Sequence, residues 1–117
     1  MIEIRVTRDT RGEIVGIRVS GHSGFAPAGR DIVCAAVSAV VQTGLEGVTA
    51  VAGCAVRKTT GEALIEAEIP PPDPRHAAAR WDLAQAILET MILGLKGIED
   101  GRERHVRVED CMGGAAL

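Results

Sequence analysis

Residues Ser20 to Leu45 read Ser-Gly-His-Ser-Gly-Phe-Ala-Pro-Ala-Gly-Arg-Asp-Ile-Val-Cys-Ala-Ala-Val-Ser-Ala-Val-Val-Gln-Thr-Gly-Leu. The first part, Gly21 to Arg30, holds three glycines and Pro27, which disfavours regular structure and reads as a loop. That loop is long for so short a chain, and long loops without secondary structure are often functional. Asp31 then supplies a helix cap, because a carboxylate can accept hydrogen bonds from the free amides of a first turn. From Ile32 to about Leu45, Val33, Val37, Val40, Val41 and Leu45 recur at helical spacing, and Ala35, Ala36 and Ala39 permit close packing. Gly44 and Gly47 are expected near the end of this helix.

Working outward toward the N-terminus, Ile2, Ile4 and Val6 alternate with Glu3, Arg5 and Thr7, the period of a half-buried strand. Asp9-Thr10-Arg11-Gly12 is a turn, and Val15, Ile17 and Val19 form the apolar face of a second strand, giving a hairpin. Toward the C-terminus, Val48 to Val56 and Ala63 to Ile69 read as strands around a turn at Thr59-Thr60-Gly61-Glu62. Pro70, Pro71, Pro72 and Pro74 end the second of them. A helix from about Arg75 to Ile98 carries the stripe Ala84, Ile87, Leu88, Met91, Ile92 and Leu95, with Trp81 at its head as packing. A last strand, Val106 to Glu109, precedes a flexible tail at 113–117. The predicted order is β-β-α-β-β-α-β. It describes an α+β domain over residues 1–112, two-layered, with two helices packed on one face of a mainly antiparallel or mixed five-stranded sheet.

Composition removes several classes of function. Thirteen basic against sixteen acidic residues give a net charge of −3, and aromatics are 2 % of the 117 residues. Neither phosphate neutralisation nor base stacking suits such a chain, so no direct nucleic-acid binding is expected. The longest apolar run, Ile32 to Val41, is broken by Ser38 and falls short of the ~18 residues of a membrane span, so no membrane association is expected. Met1 to Arg8 has no apolar signal-peptide core. Three cysteines, Cys34, Cys54 and Cys111, cannot complete a disulfide framework, which points to free thiols in a reducing cytoplasm.

The chemistry-bearing residues are Cys34 and His22. Cys34 lies in the first helical turn, where unpaired amides and the helix dipole favour an anion, and the same amides can donate to an oxyanion. An ionised Asp31 close by opposes a thiolate, and its engagement in capping softens that opposition. His22 ends the second strand only twelve positions before Cys34, so one sheet edge can bring them together as a Cys–His acyl-transfer pair, with Gly21 and Gly24 leaving room for a peptide. The alternative for each residue alone is structural: Cys34 as a small apolar filler, His22 as a surface residue. Cys54 reads as core and Cys111 as an incidental thiol. There is no Cys-x-x-Cys, and His76 and His105 lack ligand spacing to any cysteine, so no metal and no cofactor are expected. Ser38, one turn after Cys34 on the same face, either bonds to a preceding carbonyl or steadies the site.

Gly21-His22, Gly29 and Asp31-Ile32-Val33-Cys34-Ala35-Ala36-Val37-Ser38 resemble the signature of the ribosomal-processing cysteine proteases, the Prp family. That signature is Gly-His, about seven variable residues, then Gly-x-Asp-(Ile/Leu)-Val-Cys-Ala with Ser or Thr one turn on. Ser23 departs from it, since the family most often has Ala there, at a position with no proposed chemistry. The resemblance implies a compact α+β homodimer that removes a short N-terminal extension from a large-subunit ribosomal protein precursor, number twenty-seven of that subunit. Cys34 would be the nucleophile and His22 its base, with Asp31 capping the helix and holding the loop. It also implies a mobile glycine-rich loop, here Ser23 to Arg30, and the candidate substrate-loop residues are Gly21, which precedes it, and Ser23, Gly24, Phe25 and Gly29. Two other readings stay open: a non-catalytic ribosome-associated module binding peptide or RNA, and a thiol redox sensor.

Overall fold

The computed structural model describes residues 1–27 and 30–111, the last of these by its backbone only. The expected tail at 113–117, Gly29 of the loop and the Cys111 side chain lie outside the described residues. The elements are β1 (Ile2–Arg8), β2 (Ile14–Gly21), α1 (Ile32–Ala50), β3 (Arg57–Gly61), β4 (Leu64–Glu68), α2 (Trp81–Glu99) and β5 (Val106–Cys111). They form the expected β-β-α-β-β-α-β order around one five-stranded mixed sheet, ordered β3-β4-β2-β1-β5.

β1 alternates strictly between buried and exposed residues. One face of the sheet is therefore dry, and both helices cover it with Val33, Val37, Val41, Leu45 and Val48 of α1 and Ala84, Leu88, Met91, Ile92 and Leu95 of α2. β1 pairs antiparallel with β2 and parallel with β5, and Ile2 is opposite Gly21 on one side and Val106 on the other. The end of β2 and the start of β5 thus meet at one edge of the sheet. Gly21 belongs there because its φ of +94° suits glycine, and a β-carbon would collide with the carbonyl of Met1. At the opposite end of β1, buried Arg8 bonds Asp110 of β5 through Nε at 2.7 Å and Glu89 of α2 through Nη1 at 2.7 Å. The guanidinium holds both carboxyls below the usual carboxylate range.

Three boundaries differ from the sequence reading. The helix expected to stop near Leu45 runs to Ala50, and the strand expected over 48–56 is absent; its first residues are the last turn of α1. The glycines taken as terminators are packing sites instead. A β-carbon on Gly44 would lie 2.5 Å from Met91 Sδ and 2.8 Å from its Cγ, so glycine here lets α1 and α2 approach closely. At 19 residues α1 is also long and apolar enough, by length and composition alone, to cross a membrane, which a helix ending at Leu45 is not. Secondly, β3 occupies Arg57–Gly61, where a turn was expected at Thr59–Glu62. It is an edge strand exposed at every residue, so no apolar alternation marks it. Thirdly, α2 begins at Trp81 and not near Arg75. Asp73 accepts from the Arg75 amide at 2.9 Å, and the Arg80 amide is held by Ala52 O at 2.8 Å, so local turns displace the first helical turns.

Candidate active site

Asp31 starts α1 as the sequence requires. Its Oδ1 accepts from the amides of Val33 and Cys34, each at 3.0 Å, and its Oδ2 accepts from the Ser23 hydroxyl. The Ser23 hydroxyl, followed by the Cys34 and Val33 amides, holds the Asp31 carboxyl down to about 2, so it stays ionised across the physiological range. The cap fixes the first turn and with it the direction of the Cys34 side chain. It also overturns one expectation: the Val33 and Cys34 amides, proposed to hold an oxyanion, are already taken by Asp31.

Cys34 and His22 both line a cavity of about 330 Å³. Its walls are the end of β2, the first turns of α1 and the β3–β4 hairpin, with Gly21, Ser38, Gln42, Thr60 and Leu64 around the mouth and Ile2, Val19 and Val37 at the base. Cys34 is half-buried, whereas Cys54 is 2 % exposed and sits in the core as expected. His22 is exposed, and among the described residues no hydrogen bond joins it to Cys34. The pair therefore shares one cavity without a hydrogen bond between its members. Such bonds are commonly loose without substrate and tighten when it binds.

The hydrogen bond that Cys34 Sγ does accept comes from the Ser23 amide, at 3.4 Å. Ser23 is the main correction to the sequence reading, which gave this position no chemistry. It is 2 % exposed and held from three sides. Its hydroxyl donates to Asp31 and accepts from the Phe25 amide at 3.0 Å, and its carbonyl accepts from His105 Nδ1 at 2.8 Å. A carbonyl oxygen can only accept, so Nδ1 carries the proton in this contact. The His105 ring also meets Phe25 edge-on, with centroids 5.4 Å apart and planes at 80°. Gly24 takes a φ of +69° between them. Of the expected loop residues, Gly21 borders the cavity, Ser23 touches the thiol, and Gly24 and Phe25 are exposed outside it.

His105 was missed. Its proximity depends on the parallel pairing of β5 with β1, which places the residue before Val106 beside the end of β2. Thr60, Gly61 and Leu64 were missed for a similar reason: they come from a hairpin whose first strand has no sequence signature.

The acid behaviour of the cap gives a first test. A carboxyl held below its unfolded value stabilises the fold above that value, near 4, and loses the contribution as pH falls toward about 2. Asp31→Ala should therefore lower the urea midpoint clearly at pH 6 and much less near pH 2. The difference between the two chains isolates Asp31 from Glu89 and Asp110, which titrate in the same acidic range. An equal difference at both pH values would mean that the carboxylate charge does not hold the cap.

Comparison with known proteins points the same way as the geometry. The family pattern described as Cysteine protease Prp matches residues 1–107. The ribosomal processing cysteine protease Prp of Bacillus subtilis is 32 % identical over 108 residues, covering 92 % of this chain and 96 % of that one. The Staphylococcus aureus protein of the same name is 28 % identical over 115 residues, covering 92 % and 97 %. Among solved structures, an essential ribosomal processing protease Prp from S. aureus with a covalently linked product peptide superposes with a TM-score of 0.82. It is 23 % identical, and the match covers 94 % of this chain and 99 % of that chain. A second structure of that protease, with a substrate peptide, gives 0.76 at the same identity and coverage.

Proposed function

The chain belongs to the Prp family of cysteine proteases, and from that membership we propose that it is an endopeptidase trimming the N-terminal extension of a large-subunit ribosomal protein precursor, number twenty-seven of that subunit. The observation that carries the reading is the shared cavity. A half-buried thiol and an exposed imidazole open onto the same 330 Å³ space, whose apolar base of Ile2, Val19 and Val37 suits a peptide side chain. The filler reading of Cys34 fits this arrangement poorly, since a filler has no cause to face a cavity beside a histidine.

In the mechanism, peptide binding aligns His22 with Cys34 for hydrogen bonding and His22 takes the thiol proton. The sulfur attacks the scissile carbonyl carbon, and the carbonyl π electrons move to oxygen. Collapse of the tetrahedral intermediate breaks the C–N bond, and the leaving amine takes the proton from His22. A water molecule then releases the acyl group from sulfur. Asp31 orients the first turn and transfers no proton, and Ser38, one turn on, borders the cavity.

The reading carries a cytoplasmic location and a homodimer. The first is supported by the free thiols of Cys34 and Cys54. The second is supported by an apolar cleft of about 630 Å³ on the outer side of the helix pair, lined by Val40, Val51, Leu83, Ile87 and Met91. The test is incubation of the purified chain with the extended precursor and mass spectrometry of the products. A single cut that releases the extension and leaves the mature protein intact is expected. An unprocessed precursor, with the same preparation still binding it, would favour the non-catalytic module.

A further inference from the structure

The site needs a donor for the oxyanion, and the obvious ones are occupied. The Val33 and Cys34 amides, at the positive end of α1, both donate to Asp31 Oδ1 at 3.0 Å. The Ser23 amide, in contrast, points at the reacting sulfur from 3.4 Å. An oxyanion formed on the carbon bonded to Sγ lies one bond beyond that carbon. A donor already in contact with the sulfur can reach that oxygen when the C–O bond is directed to its side of the cavity.

We propose that the backbone N–H of Ser23 is the oxyanion donor, and that His105 is a positioning residue that holds it there. The proposal rests on acyl transfer by Cys34. As the thiolate adds to the carbonyl, negative charge leaves sulfur and appears on oxygen. The N–H shifts from one to the other with little movement, which is the preorganisation that stabilises a transition state more than a ground state. Its position is over-determined for a loop. Asp31 and the Phe25 amide hold the Ser23 hydroxyl, and His105 Nδ1–H holds the carbonyl at 2.8 Å. His105 is fixed in turn by its place at the start of β5, where its own carbonyl accepts from the Ile2 amide at 2.8 Å. The loop donor is thereby tied to the rigid sheet, as a catalytic dipole must be.

The donor can be removed alone. Cys34 is a native ligation junction, so a synthetic 1–33 thioester with an ester in place of the His22–Ser23 amide can be joined to 34–117 to give the full chain. This chain lacks one N–H and keeps every side chain. Losing a single oxyanion donor costs roughly 10²–10³-fold in turnover. The ester chain should lose about that factor in kcat, and a peptide aldehyde, which forms a tetrahedral adduct with the thiol, should bind weaker by a similar factor. Alkylation of Cys34 by iodoacetamide develops no oxyanion, so its rate should fall only by the loss of one long hydrogen bond to sulfur, far less than kcat.

The His105 arm reads the same contrast without the ester and serves if the ester chain does not refold. His105→Ala should lower kcat and aldehyde affinity together while sparing alkylation. His105→Asn, whose amide nitrogen can stand near Nδ1, should restore most of both. Undiminished aldehyde affinity in the ester chain overturns the proposal. So does an alkylation rate that falls in parallel with cleavage, since the N–H would then serve the sulfur and not the oxygen. Equal losses in both His105 variants remove His105 from its positioning role. Because aldehyde binding and alkylation require no turnover, they test the donor even if no peptide is cleaved, a result that would count against the proposed function alone.

Discussion

Cys34→Ala is expected to abolish peptide cleavage, by roughly 10⁴-fold or more, while leaving the fold intact. The fold should survive because the position is half-buried in the first turn of α1, and alanine is the best helix former. The substitution keeps the β-carbon and deletes one sulfur beside an open cavity, so it creates no closed void. The Asp31 cap uses backbone amides that alanine retains. Activity should vanish because, among the described residues, no other thiol borders the cavity: Ser38 lies a full turn further along α1, and Cys54 is in the core. Cys34→Ser should be nearly as inactive, since a hydroxyl is much harder to deprotonate than a thiol. Cys54→Ala should cleave normally. The comparison is a progress curve for each variant beside its urea midpoint. Normal turnover by Cys34→Ala would remove the thiol from the mechanism.

His22→Ala should reduce kcat by roughly 10²–10⁴-fold, the range for losing a general acid–base. The residue is exposed at the end of β2, so the loss should leave the urea midpoint nearly unchanged. His22 and Cys34 share the cavity without a hydrogen bond between them. Loss of a base removes proton transfer and not peptide binding, so kcat should fall far more than KM rises. Free imidazole added to His22→Ala should restore part of the lost rate, because the cavity left by the ring opens to solvent. A variant that keeps full kcat, or whose loss tracks KM alone, would make His22 a contact for the peptide and not its base.

The order of elements along the chain and the helix pair were legible because one face of the sheet is dry. Ile2, Ile4 and Val6 alternate with charged residues, and the α2 stripe from Ala84 to Leu95 is buried as its spacing requires. The sequence misled where a residue serves packing under the appearance of punctuation. Gly44 looks like a helix terminator and is the contact that admits Met91. β3 was illegible because an exposed edge strand buries no side chain and so needs no periodicity. The site divides along the same line. Cys34, His22 and Asp31 lie within one strand–loop–helix segment, where chain connectivity alone makes them neighbours. Ser23 and His105 depend on backbone direction and on the parallel pairing of β5 with β1, and neither is written in residue types.

The central claim, that Cys34 is the nucleophile, is tested most directly by titrating the native chain with iodoacetamide. Cleavage of the precursor is measured beside the mass of the Cys34 peptide at each point. Activity should fall on a straight line to zero as Cys34 becomes carbamidomethylated, whatever the state of the other two cysteines. A chain fully alkylated at Cys34 that still cleaves the precursor would contradict the account.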